Sequence, residues 1–249
     1  MKIFICTHKP FTQWRRDTHL EPLLVGAYRH EDKYGYSHDD TGENISSKND
    51  RYCELTGLYW IWKNAKEDIV GLCHYRRYFD IDADTVSTSL RNHDIILPRR
   101  ATLPFSLRFD YCLRHIPEDF QILKDAVHSY DSSYDATFDA VFSSNKLSPY
   151  NMFIASSDIA ERYCQWLFGV LGKAEEQVHV TEYSYQRRVF GFMSERLMEV
   201  FVRKNNLKVK RVDVVNTEQG GAHRLKTAIG DCVRQLFFWT TKPLMDKQI

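Results

Sequence analysis

The sequence lacks a sizeable net charge of either sign, paired cysteines and any long hydrophobic run, and each lack removes a class of function. Lysine plus arginine number 34 against 33 aspartates and glutamates. No global field therefore draws the chain to nucleic acid, and any anion site must be a local cluster. The six cysteines, Cys6, Cys53, Cys73, Cys112, Cys164 and Cys232, are scattered with no C-x-x-C pair. That pattern argues against a metal-thiolate site and for a reducing compartment. No segment reaches the roughly 18 uncharged apolar residues of a membrane span. The N-terminus enters apolar residues without a signal-peptide core, so a cytoplasmic protein is expected. No G-x-S-x-G, P-loop, G-x-G-x-x-G or H-E-x-x-H pattern occurs, which weakens hydrolase, NTPase and dehydrogenase readings. Internal repeats, low-complexity tracts and a clear linker are missing too.

What is present reads as one α/β domain. "KIFIC" (2–6), "DIVGLC" (68–73) and "DIILP" (94–98) are short apolar runs closed by polar residues or proline, the pattern of buried central strands. Between the first two, Tyr52, Leu55, Leu58, Tyr59 and Trp62 recur at helical spacing, and Ser47 with Asp50 fits a capping-box start. Strand, helix, strand predicts a right-handed parallel crossover, with ligands beyond the carboxyl ends of the strands. Further helices are expected over 118–130 and 158–172, with a strand at 150–156 between them. The segment 183–205 is helical in pattern but crossed by Gly191, where a break is expected. "LKVKRVDVV" (207–215) alternates like a strand near an edge. The glycine-rich stretch 218–223 reads as a hinge, which divides the chain into a domain over 1–221 and a tail over 222–249. That tail carries Leu225, Ile229, Cys232, Val233, Leu236 and Phe237 along one side, with Arg224, Lys226, Arg234 and Lys242 at polar positions. A basic amphipathic helix of this kind suits the anionic inner leaflet of a membrane or the protein's own core.

Chemistry concentrates at "VGLCHYRRYF" (70–79), where a buried strand runs into His74, Tyr75, Arg76 and Arg77. Continued alternation places His74 and Arg76 on one face and Tyr75 and Arg77 on the other. A guanidinium is a permanent planar cation that matches phosphate oxygens in pairs, so this cluster fits a diphosphate. The alternative is a surface basic patch answered by nearby carboxylates. "DDTGENISSKN" (39–49) is dense in turn formers and brings Asn44, Ser46 and Asn49 within reach of a ribose, base or phosphate, or merely caps the next helix. Asp39 and Asp40 diverge as neighbours, and no third ligand stands at a recognisable spacing, so no metal site is expected. His8 follows the first strand directly. Glu195 has two readings, a carboxylate projecting into a cleft and a helix residue paired with Arg196.

The ordered blocks "MKIFICTHKPF", "TGENISSKNDRYCELTGLYWIWKN", "VGLCHYRRYF", "NKLSPYNMFIAS" and "QRRVFGFMSERL" resemble the bacterial surface-polysaccharide glycosyltransferases catalogued as domain of unknown function 4422. Some of these are galactofuranosyltransferases of capsule and O-antigen synthesis. The similarity reaches to about Val215. It implies a GT-A-like nucleotide-sugar transferase fold with a Rossmann-like parallel sheet core and a C-terminal helical tail. It also implies a UDP-sugar donor, a glycan or lipid-linked glycan acceptor, and no nucleic-acid partner. In metal-dependent transferases of this broad fold the equivalent strand ends in Asp-x-Asp, whereas here His74 and Arg76 stand at that spacing. The resemblance therefore points to donor binding without a divalent metal or other cofactor, because a guanidinium neutralises a departing diphosphate as a cation would. By the same resemblance Arg76, Arg77 and His74 meet the diphosphate, Thr7, His8, Lys9, Asn44, Ser46, Asn49 and Tyr52 hold the nucleotide, and Tyr75 belongs to the donor site. Tyr150 and Asn151 lie near the sugars, and Glu195 is the base of an inverting transfer, with Asp39 and Asp40 next in line. A sugar-phosphate transferase using the same arginines and a non-catalytic glycan-binding subunit are the competing expectations.

Overall fold

A computed structural model describes residues 1–218 and 223–245. The first half of the chain forms β1 (Lys2–Thr7), β2 (Leu20–Leu24), β3 (Ser37–His38), α1 (Asn49–Tyr52), α2 (Leu55–Asn64), β4 (Ile69–His74), β5 (Arg77–Phe79), α3 (Ala83–Ser89) and β6 (Ile95–Pro98). The second half is more helical. It begins with β7 (Ala101–Thr102), α4 (Leu107–Arg114), α5 (Pro117–Asp131), α6 (Asp135–Phe142), β8 (Lys146–Leu147) and β9 (Phe153–Ser156). It ends with α7 (Ser157–Glu175), α8 (Val189–Lys204), β10 (Val209–Val212), β11 (Val214–Asn216) and α9 (His223–Met245).

The main sheet runs in the order β10-β6-β9-β4-β1-β2-β3, with β5 bridging β4 and β11. β1 is parallel to both its neighbours, β2 and β4, so the sheet has the expected parallel centre. β6 and β10 are also parallel to each other, but β9 enters between β4 and β6 antiparallel to both. The sheet is thus mostly parallel. The strands β1, β4 and β6 are nearly continuous buried runs because both faces are covered. Alternation splits them: Phe4, Cys6, Val70 and Leu72 face a core built with α2, α5, α7 and α8, while Ile3, Ile5 and Cys73 face a smaller one. α2 approaches the sheet at Gly57, where a Cβ would stand 2.8 Å from Cys6 Sγ and Val25 Cγ1.

Two expected helix features fail. The helix after residue 47 is divided at Cys53, whose φ of 52° and ψ of −131° are not helical, and no side chain caps either α1 or α2. Gly191 does not break a helix. α8 runs through it, and Gly191 instead makes room for Cys53, whose Sγ would lie 3.3 Å from an added Cβ. The capping-box reading is therefore corrected, and so is the break.

Residues 219–222, most of the expected hinge over 218–223 and the domain boundary after 221, lie outside the described residues, as do the side chains of Arg224, Leu225, Lys226 and Ile229. From Gly230 onward α9 rests on the domain in part. Phe238 is buried, Phe237 sets its ring edge-on at 5.7 Å from Phe105, and Gln235 accepts a 3.3 Å hydrogen bond from Asn145. Burying one phenylalanine contributes about 1.5–3 kcal/mol. The buried residue, Phe238, was not on the predicted apolar side, although Phe237 was. Val233, Leu236 and Trp239 stay about 60% exposed. No described helix is long and apolar enough to cross a membrane.

Candidate functional site

The carboxyl ends of β1 and β4 open into a cavity of about 780 Å³. At the end of β1, Thr7 is buried and its hydroxyl donates to the Lys9 carbonyl at 2.6 Å, which turns His8 and Lys9 outward. Cys6 and His74 are register partners, so His8 and Tyr75 emerge side by side with their rings edge-on at 5.4 Å. Burial, then the charges of Lys9, Arg76, His30 and Arg188, push the His8 imidazole below its usual pKa. At pH 7 it therefore presents a neutral polar ring, not a cation, to the cavity. Tyr75 lies beneath Lys9 and Arg76, 5.5 and 4.8 Å from its ring centre.

The "HYRR" stretch does not continue as one strand. β4 ends at His74, the chain turns back through Tyr75 and Arg76, and β5 begins at Arg77 directly opposite His74. The expected two-faced alternation is replaced by a hairpin. His74 is also less available than expected. Its Nε2 lies 2.6 Å from the Tyr150 carbonyl oxygen, which only accepts, so Nε2 carries the proton and is committed there. Arg77 lies 4.4 Å over the Tyr150 ring, and its buried Nε has no hydrogen-bond partner among the described residues. A buried guanidinium N–H left open at a cavity wall is a place for an anionic oxygen. Arg76 reaches Glu218, Nε to Oε1 2.9 Å.

Tyr150 ties these groups to Glu195. Its φ is 77° and that of Asn151 is 53°, two successive left-handed residues that carry a Cβ, a conformation that persists where surroundings enforce it. Here they do. The Tyr150 N–H donates to Glu195 Oε1 at 2.6 Å while its carbonyl takes His74. Asn151 is buried; its Nδ2 donates to Glu54 at 2.7 Å and to the Gly191 carbonyl at 3.3 Å, and its Oδ1 accepts from Ser194 at 2.9 Å. Tyr150 therefore lines the cavity, and Asn151 braces the turn from behind.

The polar loop supplies less than the sequence suggested. Asn49 lines the cavity. Asn44 is engaged within its own turn, donating to the Gly42 carbonyl and accepting from the Ser46 N–H. Ser46 is buried and donates to Asp39, which also accepts the N–H groups of Gly26 and Ala27. Asp39 is a buried loop brace, and Asp40 pairs with Lys33 and His38, so neither lines the cavity as the alternative base. Tyr52 is a core residue stacked on Phe190 with its hydroxyl donating to Glu175.

Several lining residues were not anticipated: Arg29, Asp50, Glu54, Arg187 and Arg188. The last two stand in "QRRVFGFMSERL", where the adjacent pair repeats the signal of "HYRR". Arg188 sets Nε 3.1 Å from Cys53 Sγ, but burial, then Glu54, push that thiol up to about 11 against the pull of Arg188. The thiol stays protonated and leaves the charge of Arg188 uncancelled. Five arginines (Arg29, Arg76, Arg77, Arg187 and Arg188) line the wall with three carboxylates (Asp50, Glu54 and Glu195), while Glu218 and Glu182 pair with Arg76 and Arg187, so the cavity is rich in guanidiniums of which Arg77 and Arg188 have no carboxylate ion pair among the described residues. It can hold a polyanion and, at Glu195, receive a proton.

Residues 2–206 match the family model described as domain of unknown function DUF4422. A solved structure, the WbbM bifunctional glycosyltransferase in its apo form, matches with a TM-score of 0.81 and 28% identity over 88% of this chain and 45% of that one. The chain thus spans less than half the length of that protein. No curated protein matches the chain. The mostly parallel α/β architecture is shared with a glycosyltransferase.

Proposed function

The chain belongs to the DUF4422 family, and on that premise we propose that it is a glycosyltransferase moving a sugar from a UDP-sugar onto a growing surface glycan. One observation carries the reading: an arginine-lined cavity at the carboxyl ends of β1 and β4 sets Arg77, with Arg76 beside it, against the turn that Glu195 holds. In the proposed step the acceptor hydroxyl attacks the anomeric carbon, Glu195 takes its proton, and the bond from that carbon to the diphosphate oxygen breaks. The electron pair leaves with UDP, where guanidiniums neutralise the growing charge. Attack from the face opposite the diphosphate inverts the anomeric centre. No divalent ion is required in this scheme because the arginines supply the positive charge. Galactofuranose is the first sugar to test, given the resemblance in the ordered sequence blocks. A screen of UDP-sugars for UDP release, with and without acceptor glycans, checks the proposal. Acceptor-dependent release is expected, and a product carrying phosphorus would mark a sugar-phosphate transferase instead.

We also propose that the exposed side of α9 meets the inner leaflet, where a lipid-linked acceptor resides. Val233, Leu236 and Trp239 give an apolar surface, and Lys242 adds positive charge near its end. The double substitution Leu236→Glu with Trp239→Glu leaves the docked Phe238 in place. It should lower co-sedimentation with anionic vesicles about fivefold or more, since it removes two apolar contacts and adds two repelled charges. Unchanged sedimentation would leave α9 with a purely structural use.

A further inference from the structure

Away from the cavity, a groove of about 540 Å³ opens between the end of α8 and the edge strand β10, lined by Arg100, Arg203 and Arg211 together with Val202, Leu207 and Val209. The arginines come from three elements: the turn after β6, the last turn of α8, and β10. Glu199, wholly buried, holds two of them. Arg100 Nη2 lies 2.8 Å from one of its oxygens, and Arg211 Nη2 and the Ser148 hydroxyl donate to the other. Arg211 also donates to the Pro98 carbonyl at 3.1 Å. Two guanidiniums are therefore fixed in place, and one carboxylate answers three positive charges.

The Arg203 side chain makes no hydrogen bond or ion pair among the described residues, and its carbonyl accepts the Asn206 N–H at 3.2 Å. Burial pushes the Arg211 guanidinium down in pKa, Glu199 pulls it back, and Arg100 and Arg203 push it down again, as expected of three like charges within mutual reach. The negative end of α8 also lies here, worth about half a charge, which does not offset an excess of two. Convergent, partly desolvated forks with spare donors match the oxygens of a phosphoryl group. A carbohydrate hydroxyl would leave the excess charge unanswered.

We infer that this groove binds a phosphoryl group, as phosphate or diphosphate, at a site separate from the cavity. The inference does not rest on the donor reading. Along α8, at about 1.5 Å per residue, Arg203 lies about 12 Å beyond Glu195. A phosphoryl-bearing molecule held in the groove would therefore lie one short span from the proposed reaction centre.

The test titrates the full chain with inorganic pyrophosphate by calorimetry at low salt. Arg203 is exposed and unpaired, so its variants should fold. Arg203→Ala should weaken pyrophosphate binding several-fold and Arg203→Glu about tenfold or more, the range expected on losing or reversing one charge-assisted contact. Lys173→Ala, on the surface of α7, should change nothing. Farnesyl diphosphate and glucose 1-phosphate then distinguish the source. Tighter binding of the first assigns the groove to a lipid-linked group, tighter binding of the second to a soluble one, and equal binding to the phosphoryl group alone. Each supports the site if Arg203→Glu weakens it. No pyrophosphate binding to the protein overturns the inference. So does binding that survives Arg203→Glu and disappears in Arg76→Ala, which would place every phosphoryl contact in the cavity and leave the donor reading standing.

Discussion

Replacing Arg76 and Arg77 together by alanine should lower sugar transfer about a thousandfold while the protein stays folded. Each is partly exposed, and the strand pairing of β5 is made by backbone groups that alanine retains. The loss falls on charge stabilisation at the leaving diphosphate, where removing one preorganised donor typically costs about 10²–10³ in rate. Arg77 should account for more than Arg76, because it has no ion pair among the described residues and lies fixed over the Tyr150 ring, while Arg76 is already ion-paired with Glu218. That pair makes the opposite change informative. Glu218→Gln frees Arg76 and should tighten UDP binding about two- to fivefold at low salt, an effect that fades as salt screens a partly exposed pair. Equilibrium titration with UDP separates the two directions. Loss of transfer without loss of UDP affinity in the double variant would move the diphosphate to Arg187 and Arg188.

Glu195→Gln should reduce turnover by about 10²–10⁴, the usual contribution of a positioned base, while UDP affinity changes less than about twofold. Glutamine is the informative substitution because Glu195 has a second task. Its Oε1 accepts the Tyr150 N–H, and a glutamine carbonyl keeps that bond and the left-handed turn. Glu195→Ala removes both, so it should also loosen Tyr150 from Arg77 and weaken UDP binding. A glutamine variant that turns over normally would pass the proton to Glu54, which lines the same cavity and holds the same turn through Asn151.

Much of the sheet was legible because buried strands and amphipathic helices write their periods into the chain. "KIFIC", "DIVGLC" and "DIILP" became β1, β4 and β6, and Phe120, Leu123 and Val127 became the inner face of α5. Strand direction was not legible, since Phe153–Ser156 has the same apolar pattern whether it runs parallel or antiparallel to its neighbours. The turn at Tyr75 and Arg76 was hidden for a related reason. Neither residue is a turn former, and the chain reverses there because Arg77 pairs with His74 on one side and Asn216 on the other. Gly191 misled because a glycine in a helical pattern reads equally as a break and as a close contact, and only the position of Cys53 decides. Polar residues were the least legible. Ser46, Asp39 and Asn151 have the chemistry of ligand contacts, yet each is consumed by buried backbone or side-chain groups that must be satisfied. Arg187 and Arg188 carried the same signal as Arg76 and Arg77, but pattern alone did not bring them to the cavity.

The most direct test of the central claim is UDP release from a UDP-sugar, in the presence of acceptor glycan and excess chelator. A cavity that neutralises the diphosphate with its own guanidiniums predicts a rate unchanged by the chelator and abolished in the Arg76, Arg77 double variant. Activity lost in chelator and restored by magnesium or manganese would contradict it.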